Sequence, residues 1–413
     1  MPWQTQSVMN QRIEFAMKSL QTDNFRALCR EYGISPKVGY KWRGRFVAEG
    51  IGGLRDLSRR PKHSPTGLSE EEICRIVRLK ERHRHWGPRK LHELYLRQWG
   101  VGPSESSFKR VLECCGLTEK RRIRAAATTG RIASGRRAKA PNEVWTVDFK
   151  GWWYDAQGKC NPLTVRDEYS RYLLEMRAVA DARTATVRSC FERLFADYGV
   201  PAAIRSDNGS PFGSHGLLGL SRLSAWWLAN GIDLERSRPG CPQDNGAHER
   251  LHQAIAMELE CAPYEERQAA LDAWREEFNA QRPHEALGMR CPAEVYKRSA
   301  ARWAGTPDRL EYERALIRRV HHQGFIRYRG EIIFVSESLG GWDVGLRPRK
   351  DLNYDLYFAR LLLGRLEPET AAFIPITKLA QSAHEQNEPN RTCCRKTPKT
   401  PPIRTPCRKI KTR

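Results

Sequence analysis

Apolar positions along this chain change rhythm twice. Up to about residue 118 they recur at three- and four-residue intervals, the spacing of one face of a helix. From about 142 to 300 strand-like apolar runs alternate with such helical stretches, and after about 315 short runs follow one another between glycine-containing turns. Residues 24–46, NFRALCREYGISPKVGYKWRGRF, predict two short helices. Phe25, Leu28, Cys29 and Tyr32 form the apolar face of the first, which Gly33 ends. Ser35 then offers an N-cap and Pro36 a first-turn proline, so the second helix should turn Val38 and Trp42 inward. Further on, Ser69 and Glu72 make a capping-box pattern before Ile73, Ile76 and Val77, and a new helix starts after Pro88. SESSFKRVLECCGL predicts another helix with Phe108, Val111 and Leu112 buried.

In the middle of the chain, NEVWTVDFKGWWYD places Asp148 within a strand expected at the centre of a sheet. PLTVRDEYSRYLLEMRAV reads as a hairpin through Asp167 to Ser170 that extends this sheet. ATVRSCFERLFADYG is a helix, with Val187, Cys190, Phe191, Leu194 and Phe195 on its apolar side. The strand AAIRSDNG follows and ends on Asp207. After LSAWWLANG and IDLERSRP, a glycine-rich loop leads into a helix whose first turns carry Glu249, with His252, Gln253 and Ala256 sharing its face. From 315 to 380 the runs predict a small antiparallel β-barrel, and from 384 to 413 a basic tail with almost no apolar content predicts disorder.

Composition adds a partner to this picture. Lys and Arg number 71 against 48 acidic residues, a formal net charge of +23, which favours a polyanion and nucleic acid first among polyanions. With 12 tryptophans and 40% apolar residues, real cores remain possible. Between Lys120 and Lys139 there are eight basic residues and no acidic one, the composition of a linker following DNA. The basic faces of two helices, Lys37, Lys41, Arg43 and Arg45 in the first unit and Lys109 and Arg110 in the second, suit DNA phosphates. Arg121, Arg122 and Arg124 of the linker add to them. A solvated helical hairpin is the bland reading of the same residues. The 12 cysteines lack framework spacing and are expected as reduced core residues. His85, His92, Cys114 and Cys115 do not have the spacing of a structural zinc site. Neither an apolar stretch long enough to span a membrane nor a leader pattern stands out, so a soluble, cytoplasmic protein is expected.

A lone ionised carboxylate inside a strand is costly to bury, so Asp148 needs either a salt bridge or a metal. Asp207, before Asn208 and Gly209, could be a turn-forming side chain. Taken in order, however, two strands and a helix supply three acids, the donor set required by two hard cations in in-line displacement at phosphorus. From about 142 to 300 the chain resembles the integrase catalytic core shared by retroviral integrases and bacterial insertion-sequence transposases. The resemblance rests on Asp148 in WTVDF, Asp207 in RSDNGSPF, Glu249 in PQDNGAHER, the hairpin DEYSRY and FNAQRPHEALGMRCPAEVY.

What this resemblance implies is an RNase H-like α/β core with a mixed sheet, preceded by all-α helix-turn-helix units and followed by the barrel. The domains expected are 1–60 and 65–118 (helix-turn-helix), 119–141 (basic linker), 142–300 (catalytic core), 315–380 (barrel) and 384–413 (tail). Asp148, Asp207 and Glu249 would be both catalytic residues and ligands of two Mg²⁺ or Mn²⁺ ions. The partners would be double-stranded DNA, namely element ends and target, and further copies of the chain on that DNA; a bacterial, nucleoid-associated location would follow. One departure is the interval of 41 residues between Asp207 and Glu249, longer than the family's, with the surplus assigned to the glycine-rich loop GSHGLLGL. Asp244, in the loop before the helix, is the weaker substitute for Glu249. Two other functions stand beside this one: a DNA-binding protein descended from a transposase and without turnover, and a nuclease for RNA–DNA hybrids.

Overall fold

The computed structural model describes residues 7–58, 67–118, 136–238, 246–259 and 266–379. The chain divides into two compact units, Met1–Ser69 and Glu70–Arg413. In the first, α1 (Val8–Ser19), α2 (Phe25–Glu31) and α3 (Pro36–Glu49) enclose Phe15, Ala16, Leu28, Cys29, Trp42 and Leu54. Ser7, Asn24 and Ser35 cap the three helices, each side chain accepting from a backbone N–H of its first turn. Helix α1 is an addition to the sequence reading. Val38 is a correction: it is 37% exposed, and the inward positions of α3 are Gly39 and Trp42. A Cβ at Gly39 would lie 2.6 Å from Cys29 Sγ and 3.0 Å from Phe15, so α3 packs on the first two helices through a bare backbone. That close approach rotates Val38 off the core.

The second unit opens with α4 (Glu70–Arg82), α5 (Pro88–Trp99) and α6 (Glu105–Cys114), packed around Ile76, Leu91, Tyr95 and Phe108. Ser104 caps α6. These helices are bonded to the central domain. Arg97 donates to Glu294 at 2.5 Å and to the Met289 carbonyl at 3.0 Å, and His83 Nδ1 lies 3.1 Å from Glu277.

The central domain is a mixed sheet with helices. Its strands are β1 (Val144–Phe149), β4 (Pro162–Asp167) and β5 (Leu173–Ala178), with the short hairpin of β2 (Trp153–Asp155) and β3 (Gly158–Cys160) between the first two. Helix α7 (Thr184–Tyr198), β6 (Ala203–Ser206), α8 (Arg222–Ala229) and β7 (Asp233–Arg236) follow. The order across the sheet is β5-β4-β1-β6-β7. β4 is antiparallel to β1 and β5, while β6 is parallel to β1 and β7. Strands β1, β4 and β6 are largely buried because both faces of the sheet are covered. Trp145, Phe191, Phe195, Trp226 and Trp227 fill one side. On the other, α9 (Gly246–Glu258) and α10 (Arg267–Ala280) bring Leu251, Ile255, Leu271, Trp274 and Phe278 against Leu173 and Met176.

The last region contains β8 (Leu316–Arg319), β9 (Phe325–Tyr328), β10 (Glu331–Phe334), β11 (Asp343–Pro348), β12 (Tyr354–Phe358), β13 (Leu361–Glu367) and β14 (Ala372–Pro375). It has a five-stranded antiparallel sheet, β14-β13-β12-β11-β8, and a β9–β10 ladder over a shared core, with β9 against β8 and β10 against β14. The loop 213–220 joins this core: Leu220 is buried in it and Leu217 and Leu218 pack on it, together with Ala225 and Leu228 of α8. Residues 119–135 of the basic linker and the tail from 380 lie outside the described residues.

Candidate active site

Neighbouring strands set two of the three carboxylates. β1 runs parallel to β6 with Thr146 opposite Arg205. Continued by two residues, this register sets Asp148 beside Asp207, the residue that follows β6. Asp148 is half-buried and Asp207 exposed. Burial first, then the charge of Asp207, and less strongly that of Glu249, push the Asp148 carboxyl up to about 7, against a hydrogen bond from the Phe149 amide. Asp207 also has a turn role: its Oδ1 accepts from Gly209 N at 3.2 Å. Arg236, at the end of β7, braces this corner by donating to the carbonyls of Asp207 (3.1 Å) and Gly219 (3.3 Å).

Glu249 comes from a helix, so its position depends on how α9 is held. A hydroxyl hub supplies much of that hold. Thr164 of β4, opposite Asp148 in the ladder, donates its hydroxyl to the Asp148 carbonyl at 2.9 Å. With its hydrogen used there, Thr164 Oγ1 can only accept from the two ring nitrogens beside it, His248 Nε2 at 2.8 Å and His252 Nε2 at 3.0 Å. Both rings therefore carry the Nε2 proton. His248 Nδ1 lies 3.1 Å from Thr146 Oγ1, whose hydroxyl donates to the Arg166 carbonyl at 3.3 Å. Burial drives both imidazoles toward the neutral form, His252 down to about 4 and His248 well below the ordinary histidine value. A buried, neutral His248 thus ties α9 to β1 and β4, one residue before Glu249.

Glu249 is exposed in the first turn of α9. Among the described residues, no three His, Cys, Asp or Glu side chains converge closely enough to hold a metal ion. The three acids share one electrostatic neighbourhood without forming a closed ligand set. Their chemistry nevertheless fits a hard cation: all are oxygen donors, and Asp148 is raised by like charges that a cation would offset.

The amino-acid sequence matches the integrase core domain over residues 138–242 and a second integrase core model over 230–292, which spans Glu249. The chain carries an integrase core domain. Residues 11–62 match a helix-turn-helix domain and 38–112 a homeodomain-like domain, so integrase core and helix-turn-helix domains together indicate a protein that binds DNA. The chain is 28% identical over 262 residues to the insertion element IS407 uncharacterized 31.7 kDa protein of Burkholderia multivorans, covering 62% of this chain and 91% of that one. It is 26% identical over 253 residues to the insertion element IS476 uncharacterized 39.2 kDa protein of Xanthomonas euvesicatoria, covering 59% and 70%. Among solved structures, the HTLV-2 integrase catalytic core in complex with magnesium is 16% identical. It matches 39% of this chain and all 100% of its own, with a TM-score of 0.30.

Within the integrase core, sequence reasoning passed over His248, Thr146, Thr164 and Arg236. Only the spacing of His248 and His252, one helical turn apart on the helix of Glu249, could have signalled the hub. Of the basic residues proposed for DNA, Lys37 and Lys41 on α3 and Lys109 and Arg110 on α6 are exposed. Arg43 and Arg45 are half-buried, their guanidinium groups 5.6 Å from the Phe25 ring and 5.3 Å from the Trp42 ring. Arg121, Arg122, Arg124 and Asp244 lie outside the described residues. No helix among the described residues is long and apolar enough to cross a membrane.

Proposed function

We propose that this protein is an insertion-sequence transposase that binds the ends of its element through the N-terminal helices and cuts and joins DNA strands at Asp148, Asp207 and Glu249. The observation that supports the reading is the register of β1 on β6, which continued by two residues sets half-buried Asp148 beside Asp207, with Glu249 in the first turn of α9. Arg236 donates to the backbone carbonyl of Asp207.

In this reading the three carboxylates hold two divalent cations, Mg²⁺ or Mn²⁺, which when bound supply Lewis acidity at the reacting phosphate. The chain's own work is positional. The β1–β6 register fixes the spacing of Asp148 and Asp207, the Thr164 hydroxyl and His248 fix the approach of Glu249, and Lys37, Lys41, Arg43, Arg45, Lys109 and Arg110, with the linker arginines, neutralise DNA phosphates. In cleavage a water oxygen forms the new bond to phosphorus and the 3′ oxygen leaves with a proton. In joining, the freed 3′ hydroxyl attacks a target phosphate, forming one P–O bond as another breaks. Two element ends require more than one such site, so the active form is an oligomer on DNA.

The test is strand transfer by the full chain on a duplex bearing the element's ends, with Asp148→Asn, Asp207→Asn and Glu249→Gln beside the unaltered protein. We expect at least about a thousandfold loss of reaction in each variant, with end binding kept. An unaltered chain that binds the ends and never reacts with either metal would make it a DNA-binding protein without turnover.

A further inference from the structure

The segment between Asp148 and β4 is not used by this mechanism, yet it carries the most conspicuous exposed aromatic pair of the central domain. The hairpin of β2 and β3 is two-faced, as strand alternation requires. Trp153 and its cross-strand partner Cys160 point inward, 7% and 1% exposed, into the cluster that contains Leu251 and Ile255 of α9. Asp155 is clamped from below by Arg267 of α10, whose Nε donates at 2.7 Å. The opposite face turns Trp152 and Tyr154 to solvent, 60% and 68% exposed, with the two rings edge to face at 5.5 Å. Lys159, paired with Tyr154 across the hairpin, sets its ammonium 5.0 Å from the Trp152 ring. Lys150, two residues beyond Asp148, lies 5.3 Å from the Trp153 ring, and its charge is felt by His252 on the helix of Glu249.

Exposing two large rings costs free energy that a loop of polar residues would avoid. Burying Trp153 and clamping Asp155 hold those rings rigidly where strand β1 leaves the site. Flat aromatic faces flanked by lysines are complementary to nucleobases on a phosphate backbone, and stacking asks for no particular base. A paired duplex shows phosphates and grooves there, whereas an unpaired strand end offers ring faces.

We propose that Trp152 and Tyr154, with Lys159, form a platform on which unpaired DNA bases stack beside the strand end handled at the carboxylate site. This rests on the transposase reading for its location but is tested without turnover. In the full chain carrying Asp148→Asn, affinity is measured for a duplex with a short single-stranded overhang and for the same duplex blunt, with a fluorescent adenine analogue in the overhang reporting stacking.

Replacing both Trp152 and Tyr154 by Ala should weaken overhang binding about tenfold or more, leave blunt binding within about twofold, and abolish the stacking quench. Trp152→Phe with Tyr154→Phe should restore most of it, and Trp153 is left in place so that the fold is kept. Equal losses on both duplexes, or no loss on the overhang, overturns the platform. So does a change in sedimentation of the DNA-free protein with overhang binding intact, which would make this face a contact between copies of the chain. A chain that shows the overhang preference but never transfers strands overturns the transposase reading and leaves the platform standing.

Discussion

The two sides of the carboxylate site are built by different means. Asp148 and Asp207 are fixed by backbone: a continuous ladder on either side of β1 sets their strands, and a side chain has only to point out of the pleat. Glu249 is fixed by side chains, because α9 has no ladder to the sheet and is tied down through Thr164, Thr146 and His248. A ladder has many redundant bonds, while a hub has one oxygen. The sheet side should therefore tolerate the loss of a single polar contact, and the helix side should not.

Thr164→Val attacks this difference most directly. It keeps the shape and removes the one atom that serves the Asp148 carbonyl and both imidazoles, leaving two N–H donors in the interior without their acceptor. We expect about 3 kcal/mol lower stability in urea unfolding and at least about a hundredfold slower strand transfer, with binding of element ends unchanged. A variant with normal transfer would show that α9 is held by its apolar face alone.

Arg236→Ala is the matching cut on the sheet side. It removes donors to the Asp207 and Gly219 carbonyls but leaves β6 paired on both edges. About 1 kcal/mol and a roughly tenfold slower transfer are expected. If its effect on transfer equals that of Thr164→Val, the two sides of the site are equally fragile and the distinction between ladder and hub falls.

The same contrast explains what could be read from the sequence. The placement of Asp148 and Asp207 at neighbouring strand ends was legible because strands declare themselves by local apolar runs, and their order follows from the order of the elements. The placement of Glu249 in the first turn of a helix was legible from the glycine-rich run before it. The hub was not, since a threonine in a strand and a histidine on a helix look ordinary until the chain brings Thr164 and His248 together across 84 positions. Val38 was misplaced for a related reason: spacing alone made it inward, but the close contact of Gly39 with Cys29 decides the rotation of α3. At the C-terminal end, short strands and glycine turns specify antiparallel pairing but not closure, and the strands pair as a sheet and a ladder that share one core. The loop GSHGLLGL was read as surplus near the site. Its leucines dock on that C-terminal core, while Gly219 accepts from Arg236 and Gly213 N donates to the Gly209 carbonyl at 2.8 Å, both beside Asp207.

The smallest effect, and the one that separates the two sides by sign, is the dependence of stability on pH in a chelating buffer. His248, His252 and His284 are held neutral by burial, the latter two down to about 4 and about 3. Between about pH 4 and 6.5 the unfolded chain binds more protons at these residues, so they make stability fall as pH falls. Asp148 acts oppositely. Its folded value of about 7 lies above the unfolded one, so its folded form keeps a proton that the unfolded chain has lost, and its contribution falls as pH rises from about 4 to 7. Near pH 5 to 6 these four groups together give an uptake of about two protons on unfolding, three from the histidines less one from Asp148. Asp148→Asn removes the opposing proton and should steepen the acid loss by about 1.4 kcal/mol per pH unit, while His252→Asn should make it shallower by a similar amount. Urea midpoints measured at intervals from pH 7 to 5 would read both slopes. If Asp148→Asn leaves the slope unchanged, the strand-borne carboxyl is raised neither by burial nor by the charges of Asp207 and Glu249.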